Sequence, residues 1–496
     1  AALDIRQDSS VHGSILAEAA KKSDVLPKNY PILSDAKKIE NLFKIKKEIA
    51  PEIFAGELAQ DTIRNIKAVK EIQKQNGAKG CERYIISHCE NALNVIEVYG
   101  LFLLGGWQKE KLSVDIVPLF ETVADLKNAP GIMRGLYKNK TYREHLSRRR
   151  NTQTIMLGFS DGTKDGGYLM ANWSIYKAKD ELTKAARDFG INVIFFDGRG
   201  GPPARGGGKT HKFYSSMGEN IASDAIELTI QGQTVSSNFG MVNIAQYNIE
   251  QLIHAGIYNP LFAAKPQTFA SPEEKLMQKL ADASFRAYDK LKKHPHFLDY
   301  LSDVSPLKFY AETNIGSRPA KRGKGKLTLD DLRAIPFVGA WSQLKQNVPG
   351  FYGVGAALHE LKDDLDEIKS LYQSNLFFKT LIDNCAMAMQ KSDFELTAVL
   401  AEHKTYGVIW KMIHKEFKLC RRYLQEIYGK ENLMADYPLE QQSIQTRERI
   451  VLPLTTIQQY AITKLRENRD DKLKSSYEKL VIRCSFGIIN AGRNSA

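Results

Sequence analysis

Short apolar runs rich in β-branched and aromatic residues recur along the chain. Between them lie longer stretches in which apolar residues return every three or four positions. The short runs, at 2–5, 84–87, 114–120, 154–159, 192–196 and 334–339, predict buried strands of a parallel sheet. The stretch 165–187 carries the helical spacing. Ser271-Pro272-Glu273-Glu274 reads as a helix start, with a capping hydroxyl, proline in the first turn and glutamate after it. From 355 to 433 the pattern is helical almost throughout, and no internal repeat or low-complexity tract interrupts it. The expected fold is therefore α/β and helix-rich. A strand-bearing region, 1–345, precedes a mainly helical region, 346–496.

The residues that follow the strands narrow this picture. The first run ends at Arg6, the third at Glu121, the fourth at Ser160-Asp161 with Lys164 close behind, and the fifth at Asp197-Gly198-Arg199. Charges just past the carboxyl ends of successive parallel strands are the arrangement of a (β/α)8 barrel active site. Charges that merely mark where strands reach solvent are the competing explanation. That account does not predict two carboxylates and several arginines at equivalent positions.

Glu121 and Asp161 are hard oxygen donors of the kind that hold a divalent cation such as Mg2+ together with water and substrate oxygens. Helix caps and surface ion pairs are the alternative use for such residues. The segment 198–211, GRGGPPARGGGKTH, has six glycines and two arginines. Glycines let backbone amides approach an anion, and arginines offer forked donors, so an anion-binding loop is expected rather than a flexible linker. Its tail, Gly208-Lys209-Thr210, suggests a nucleotide-binding P-loop, but Pro203 stands where that motif needs its first glycine. A second basic stretch, 316–326 (GSRPAKRGKGK), suits either a lid over an anionic substrate or a surface loop, and Arg333 follows it.

Composition removes several other classes. Of 496 residues, 43% are apolar and 26% charged, and no apolar run is long enough to span a membrane. Five scattered cysteines fit no zinc-binding spacing and read as buried or idle thiols of a reducing cytoplasm. The net charge of +13 comes from basic residues interleaved with acidic ones. Its densest cluster, Arg148-Arg149-Arg150, reads as a solvated loop, and no nucleic-acid-binding signature accompanies it. The chain opens without methionine in the middle of a strand pattern, which reads as a cut chain.

LDIRQDS (3–9), VPLFET (117–122), GFSDGTKDGG (158–167), GRGGPPARGGG (198–208), GSRPAKR (316–322), LRAIPFVGAWSQ (332–343) and the closing AGRNSA follow one another in an order that resembles phosphoenolpyruvate carboxylase. The resemblance runs nearly from end to end and corresponds to the C-terminal half of that family. It implies carboxylation of phosphoenolpyruvate with bicarbonate to oxaloacetate, through carboxyphosphate and an enolate, in a soluble cytoplasmic homotetramer. It implies Glu121 and Asp161 as ligands of Mg2+ (or Mn2+). Arg6, Arg199 and Arg333 would surround the substrate, with Lys164 and Arg318 as further active-site cations. It implies an aspartate or malate inhibitor site formed by Arg205, Lys391, Arg447 and Asn494. A non-catalytic regulatory relative that binds phosphoenolpyruvate or aspartate without turnover is the alternative.

Two departures matter. The family's Thr-Ala-His-Pro-Thr-Glu segment, with its catalytic histidine, is absent, so this chain alone is expected to be inactive. Where the family has a histidine before Gly-Arg-Gly-Gly this chain has Asp197, which would bring negative charge near bicarbonate or pair with an arginine.

Overall fold

The computed structural model describes residues 3–230, 232–262, 268–313, 328–329, 331–467 and 471–492. Six parallel strands form one sheet in chain order: β1 (Asp4–Asp8), β2 (Arg83–Ser87), β3 (Asp115–Phe120), β4 (Thr152–Gly158), β5 (Asn192–Gly198) and β6 (Ile226–Leu228). Sequential order without reversal is the winding of a barrel, whereas doubly wound sheets reverse direction at a switch point. Curvature is visible in one ion pair. Arg83 at the start of β2 reaches Glu227 on β6. In a flat sheet those strands would lie roughly 19 Å apart, at ~4.8 Å per step. The sheet therefore curls as a partial barrel, within a helix-rich α/β fold.

Packing divides the chain into two compact units. The first comprises 1–158, 177–198 and 220–228 and holds the whole sheet; the second comprises 159–176, 199–219 and 229–496. In the first unit Ile85, Val117, Leu119 and Met156 form a buried cluster, with Phe196 packed against it. Helices Ser9–Lys22, Glu57–Asn76, Ala92–Leu104 and Val123–Lys138 connect the successive strands of this unit. Thr122 and Asn91 close two of them as capping boxes. The second unit is helical, with its longest helices at Ser271–Lys292, Gly407–Tyr428, Pro438–Glu467 and Asp471–Gly492.

Several expectations shift. The run 334–339 is not a strand but the start of the helix Ala334–Gln343. It is buried on nearly every side, so its sequence shows no polar face, and Pro336 sits in the first turn, where its missing N–H leaves no helical bond unmade. The strand read at 2–5 runs instead over Asp4–Asp8, and Arg6 lies within it rather than after it. Asp197 likewise falls inside β5. Gly167, at φ +77°, separates the helix Phe159–Gly166 from the helix Tyr168–Arg187, so the helical stretch read at 165–187 is broken. The helix start at Ser271 is capped one residue earlier, where the Ala270 N–H donates to Glu273. Arg149 is not part of a solvated loop: its guanidinium pairs with Asp115 and Glu82 at the sheet's amino end. All five cysteines are buried and free. Among the described residues no helix is long and apolar enough to cross a membrane.

Candidate active site

In the first unit the carboxyl ends of β1, β2 and β3 converge on one carboxylate. Glu121 follows β3 directly and is only 4% exposed. Arg6 on β1 donates through Nη2 to Glu121 Oε1 at 2.9 Å and through Nε to Ser87 Oγ at 2.8 Å. The His88 N–H points at Glu121 Oε2 from 3.4 Å. His88 itself has φ +53°, and its Nδ1 lies 3.0 Å from Asp8 Oδ2. Nothing in the sequence around Ser87 and His88 marked them; parallel register alone brings them to Glu121.

At the end of β5, Asp197 is fully buried and its Oδ2 accepts from Lys179 Nζ at 2.7 Å. Lys179 is 2% exposed and comes from the helix Tyr168–Arg187. The expected arginine partner is thus replaced by a lysine. Breaking such a buried pair by removing one partner is strongly destabilising.

In the second unit the glycine-rich segment folds back on itself. Pro203–Arg205 forms a 3-10 turn, Gly206 takes φ +72°, and the Gly200 N–H donates to the Arg205 carbonyl at 2.7 Å. A Cβ on Gly207 would lie 1.9 Å from the Gly201 carbonyl oxygen, so only glycine closes this arch. Arg199 Nε donates to the Gly206 carbonyl at 2.6 Å, and its guanidinium stacks 4.1 Å from the Phe213 ring centroid. Arg205 Nε donates to Ser160 Oγ at 2.9 Å. Burial pulls the Arg205 guanidinium down to about 10, against the opposing pull of Asp161 nearby. Asp161 sits in the first turn of the helix Phe159–Gly166, and Lys164 one turn later. Lys164 Nζ donates to the Leu329 and Leu332 carbonyls at 2.9 and 2.7 Å, which fixes the backbone just before Arg333. Arg333 precedes the helix Ala334–Gln343 as its N-cap. Arg318, with the rest of the basic stretch 316–326, lies outside the described residues, as does Asn494.

Elsewhere in this unit Lys391 and Arg447 line one cavity, together with Lys345, Glu448, Tyr310 and Gln343. Lys345 Nζ pairs with Glu448 Oε1 at 2.7 Å. Desolvation, reinforced by the like charges of Lys345 and Arg447, pulls the Lys391 ammonium down to about 8. Lys345 and Glu448 carried no signal of their own in the sequence; Lys345 is turned into place by φ +57° just past the helix end.

Two of these residues bear on a divalent cation. Glu121 offers a buried carboxylate, an oxygen donor that suits a hard ion, already held in place by Arg6, which Ser87 anchors in turn. Asp161 belongs to the other unit. Among the described residues no cluster of three or more His, Cys, Asp and Glu side chains forms a self-sufficient metal cage. One or two carboxylates completed by substrate and water oxygens is the mode usual for Mg2+.

The family model for phosphoenolpyruvate carboxylase matches residues 1–494. A phosphoenolpyruvate carboxylase from Corynebacterium glutamicum is 32% identical over 516 residues, covering 99% of this chain and 56% of the relative. The chain thus spans little more than half the length of that curated relative. By the extent of both matches, this chain belongs to the phosphoenolpyruvate carboxylase family.

Proposed function

We propose that this chain forms the C-terminal part of a phosphoenolpyruvate carboxylase that joins bicarbonate to phosphoenolpyruvate. The observation that carries this reading is the set of charges at and just past the strands, Arg6, Glu121, Asp161 and Arg199, within a family match running from residue 1 to 494. Arg6, Arg199 and Arg333 are the forked donors for the substrate's phosphate and carboxylate. Lys164 and Arg318 add positive charge where the transferring phosphoryl group builds negative charge. In the reaction a bicarbonate oxygen attacks phosphorus and the bond from phosphorus to the enolate oxygen breaks. Carboxyphosphate then releases CO2 and phosphate, and the enolate carbon takes up the CO2 to give oxaloacetate. Mg2+ or Mn2+, held by Glu121 and Asp161, would stabilise the enolate oxygen. The Asp197 carboxylate, standing where the family has a histidine, is engaged by Lys179 rather than by an arginine of this set. A cytoplasmic homotetramer is part of the same reading, as is the assignment of 1–345 to the catalytic barrel and of 346–496 to the helical inhibitor-binding region.

The test is a coupled assay for oxaloacetate with phosphoenolpyruvate, bicarbonate and Mg2+. It is run on this chain alone and on the chain supplied with the N-terminal part that its relative carries. Activity is expected only in the second case, and Asp161→Asn should reduce it by roughly a hundredfold or more. A folded, supplemented protein that binds phosphoenolpyruvate without making oxaloacetate would leave the regulatory reading instead.

Lys391, Arg447, Arg205 and Asn494 form the proposed dicarboxylate site, to which Lys345 and Glu448 are added here. Lys391 titrates well below the ordinary lysine value, so its charge is lost as pH rises through about 8. Aspartate or malate inhibition is therefore expected to weaken across that pH, and Lys391→Met should weaken it below that pH and flatten the profile. Inhibition constants measured on either side of pH 8 check this, and a flat profile would remove Lys391 from the site.

A further inference from the structure

The second unit holds another cavity, of about 370 Å3, whose walls include His211, Lys212, His254, Lys379, Asp383 and Tyr437. None of these belongs to the proposed catalytic or dicarboxylate sets. The basic groups come from three helices: Thr210–Ser215, which follows the glycine-rich arch, Val242–Phe262 and Leu376–Gln390. Lys209-Thr210-His211-Lys212 overlaps the Gly208-Lys209-Thr210 tail whose P-loop reading failed, and the catalytic reading leaves it without a role.

The carboxylate in this wall is already engaged. Asp383 accepts from the hydroxyls of Tyr372 at 2.8 Å, Tyr428 at 3.3 Å and Tyr437. Glu440 pairs with Lys209. Among the described residues Lys212 and Lys379 make no ion pair. Lys212 rests 4.0 Å from the Tyr437 ring centroid. Lys379 lies 4.2 Å from that of Tyr372 and donates to its hydroxyl at 3.0 Å. Burial pulls the Lys212 ammonium down, as do Lys209 and Lys379, against the opposing pull of Asp383 and Glu440; the His211 imidazole is lowered by burial and by Lys209, Lys212 and His254. Like charges are thus gathered around a concave space, and an anion placed there would relieve their repulsion. The volume falls in the range of small-molecule sites, and Leu376 and the Tyr437 ring supply an apolar wall.

We propose that this cavity binds a small phosphate monoester, with its phosphate between Lys212 and Lys379 and its body against Leu376 and Tyr437. Two ammonium groups with nearby imidazoles match a compact dianion, and Asp383 makes its hydrogen bonds to tyrosine hydroxyls rather than to the lysines.

Titration calorimetry at constant ionic strength tests this, with ribose 5-phosphate as the probe and ribose and inorganic phosphate as the comparison arms. Ribose 5-phosphate should saturate one site per chain, inorganic phosphate should bind more weakly, and ribose should give no heat. Lys212→Gln with Lys379→Gln should weaken ribose 5-phosphate binding roughly tenfold or more. Lys212→Arg with Lys379→Arg should retain it, which separates loss of charge from loss of fold. Unchanged affinity in the double glutamine variant would overturn the proposal, as would a loss that follows Arg199→Gln instead, because the probe would then sit at the catalytic arginines. The assay reads binding alone, so its result stands apart from whether oxaloacetate is made.

Discussion

Replacing Lys179 with methionine is expected to destabilise the protein by about 3–5 kcal/mol, the usual cost of leaving one charge of a buried pair without its partner. Asp197 is fully buried and sits within β5, so it cannot turn to water without breaking the register Met156↔Phe196 and Leu157↔Asp197. Asp197→Leu alone should be similarly damaging, because it strands the ammonium, which is 2% exposed. Lys179→Met combined with Asp197→Leu should recover most of the loss, since apolar pairs often replace buried ion pairs at little cost. Urea unfolding of the two single variants and the double variant measures this directly. Additive losses in the double variant would mean that the two side chains act independently, and the pair would then have no claim to hold the end of β5.

The second large effect is expected at Gly207. An alanine methyl group would lie 1.9 Å from the Gly201 carbonyl oxygen and 2.6 Å from that of Pro202, and both are backbone atoms that no rotamer can move aside. The arch must open, which displaces the Gly206 carbonyl that holds Arg199 and the turn that aims Arg205 at Ser160. Overpacking of this kind costs roughly 1–3 kcal/mol. The effect on catalysis should be far larger, because an arginine shifted by an ångström loses most of its contribution; a fall of roughly a hundredfold in oxaloacetate formation is expected. Gly135→Ala is the control. That glycine is exposed in the helix Val123–Lys138 with nothing near its added methyl, so the change should stabilise by up to ~1 kcal/mol. If Gly207→Ala behaves like Gly135→Ala, the arch does not position the arginines.

The sequence carried the parallel strands β2 to β5 plainly, because a run buried on both faces must be apolar without interruption. It carried β6 hardly at all: Ile226–Leu228 is three residues long and owes its existence to pairing with β5. The same logic explains the misreading of 334–339. A helix buried all round shows the same unbroken apolar run as a strand, and only length and tertiary context separate the two. The strand-end residues were legible because chemistry restricts their types. Their partners were not. Lys179 lies 18 residues before Asp197 in a helix rich in lysines, where nothing local singles it out. Lys345 and Glu448 are 103 residues apart and meet only through packing. Residue type can announce a charge that does chemistry, whereas the counter-charge that holds it is a property of the fold.

The two packing units are not consecutive in the chain: it passes from one to the other after residues 158, 176, 198, 219 and 228. This interleaving limits how the protein can be cut or recombined. No single break yields either unit as a continuous piece, so a deletion series or a chimaera joined at one crossover would leave both halves incomplete. Autonomous folding of one unit would require splicing three segments together. Variation that survives in such a chain is therefore expected to come as point substitutions and loop-length changes rather than as exchange of whole blocks.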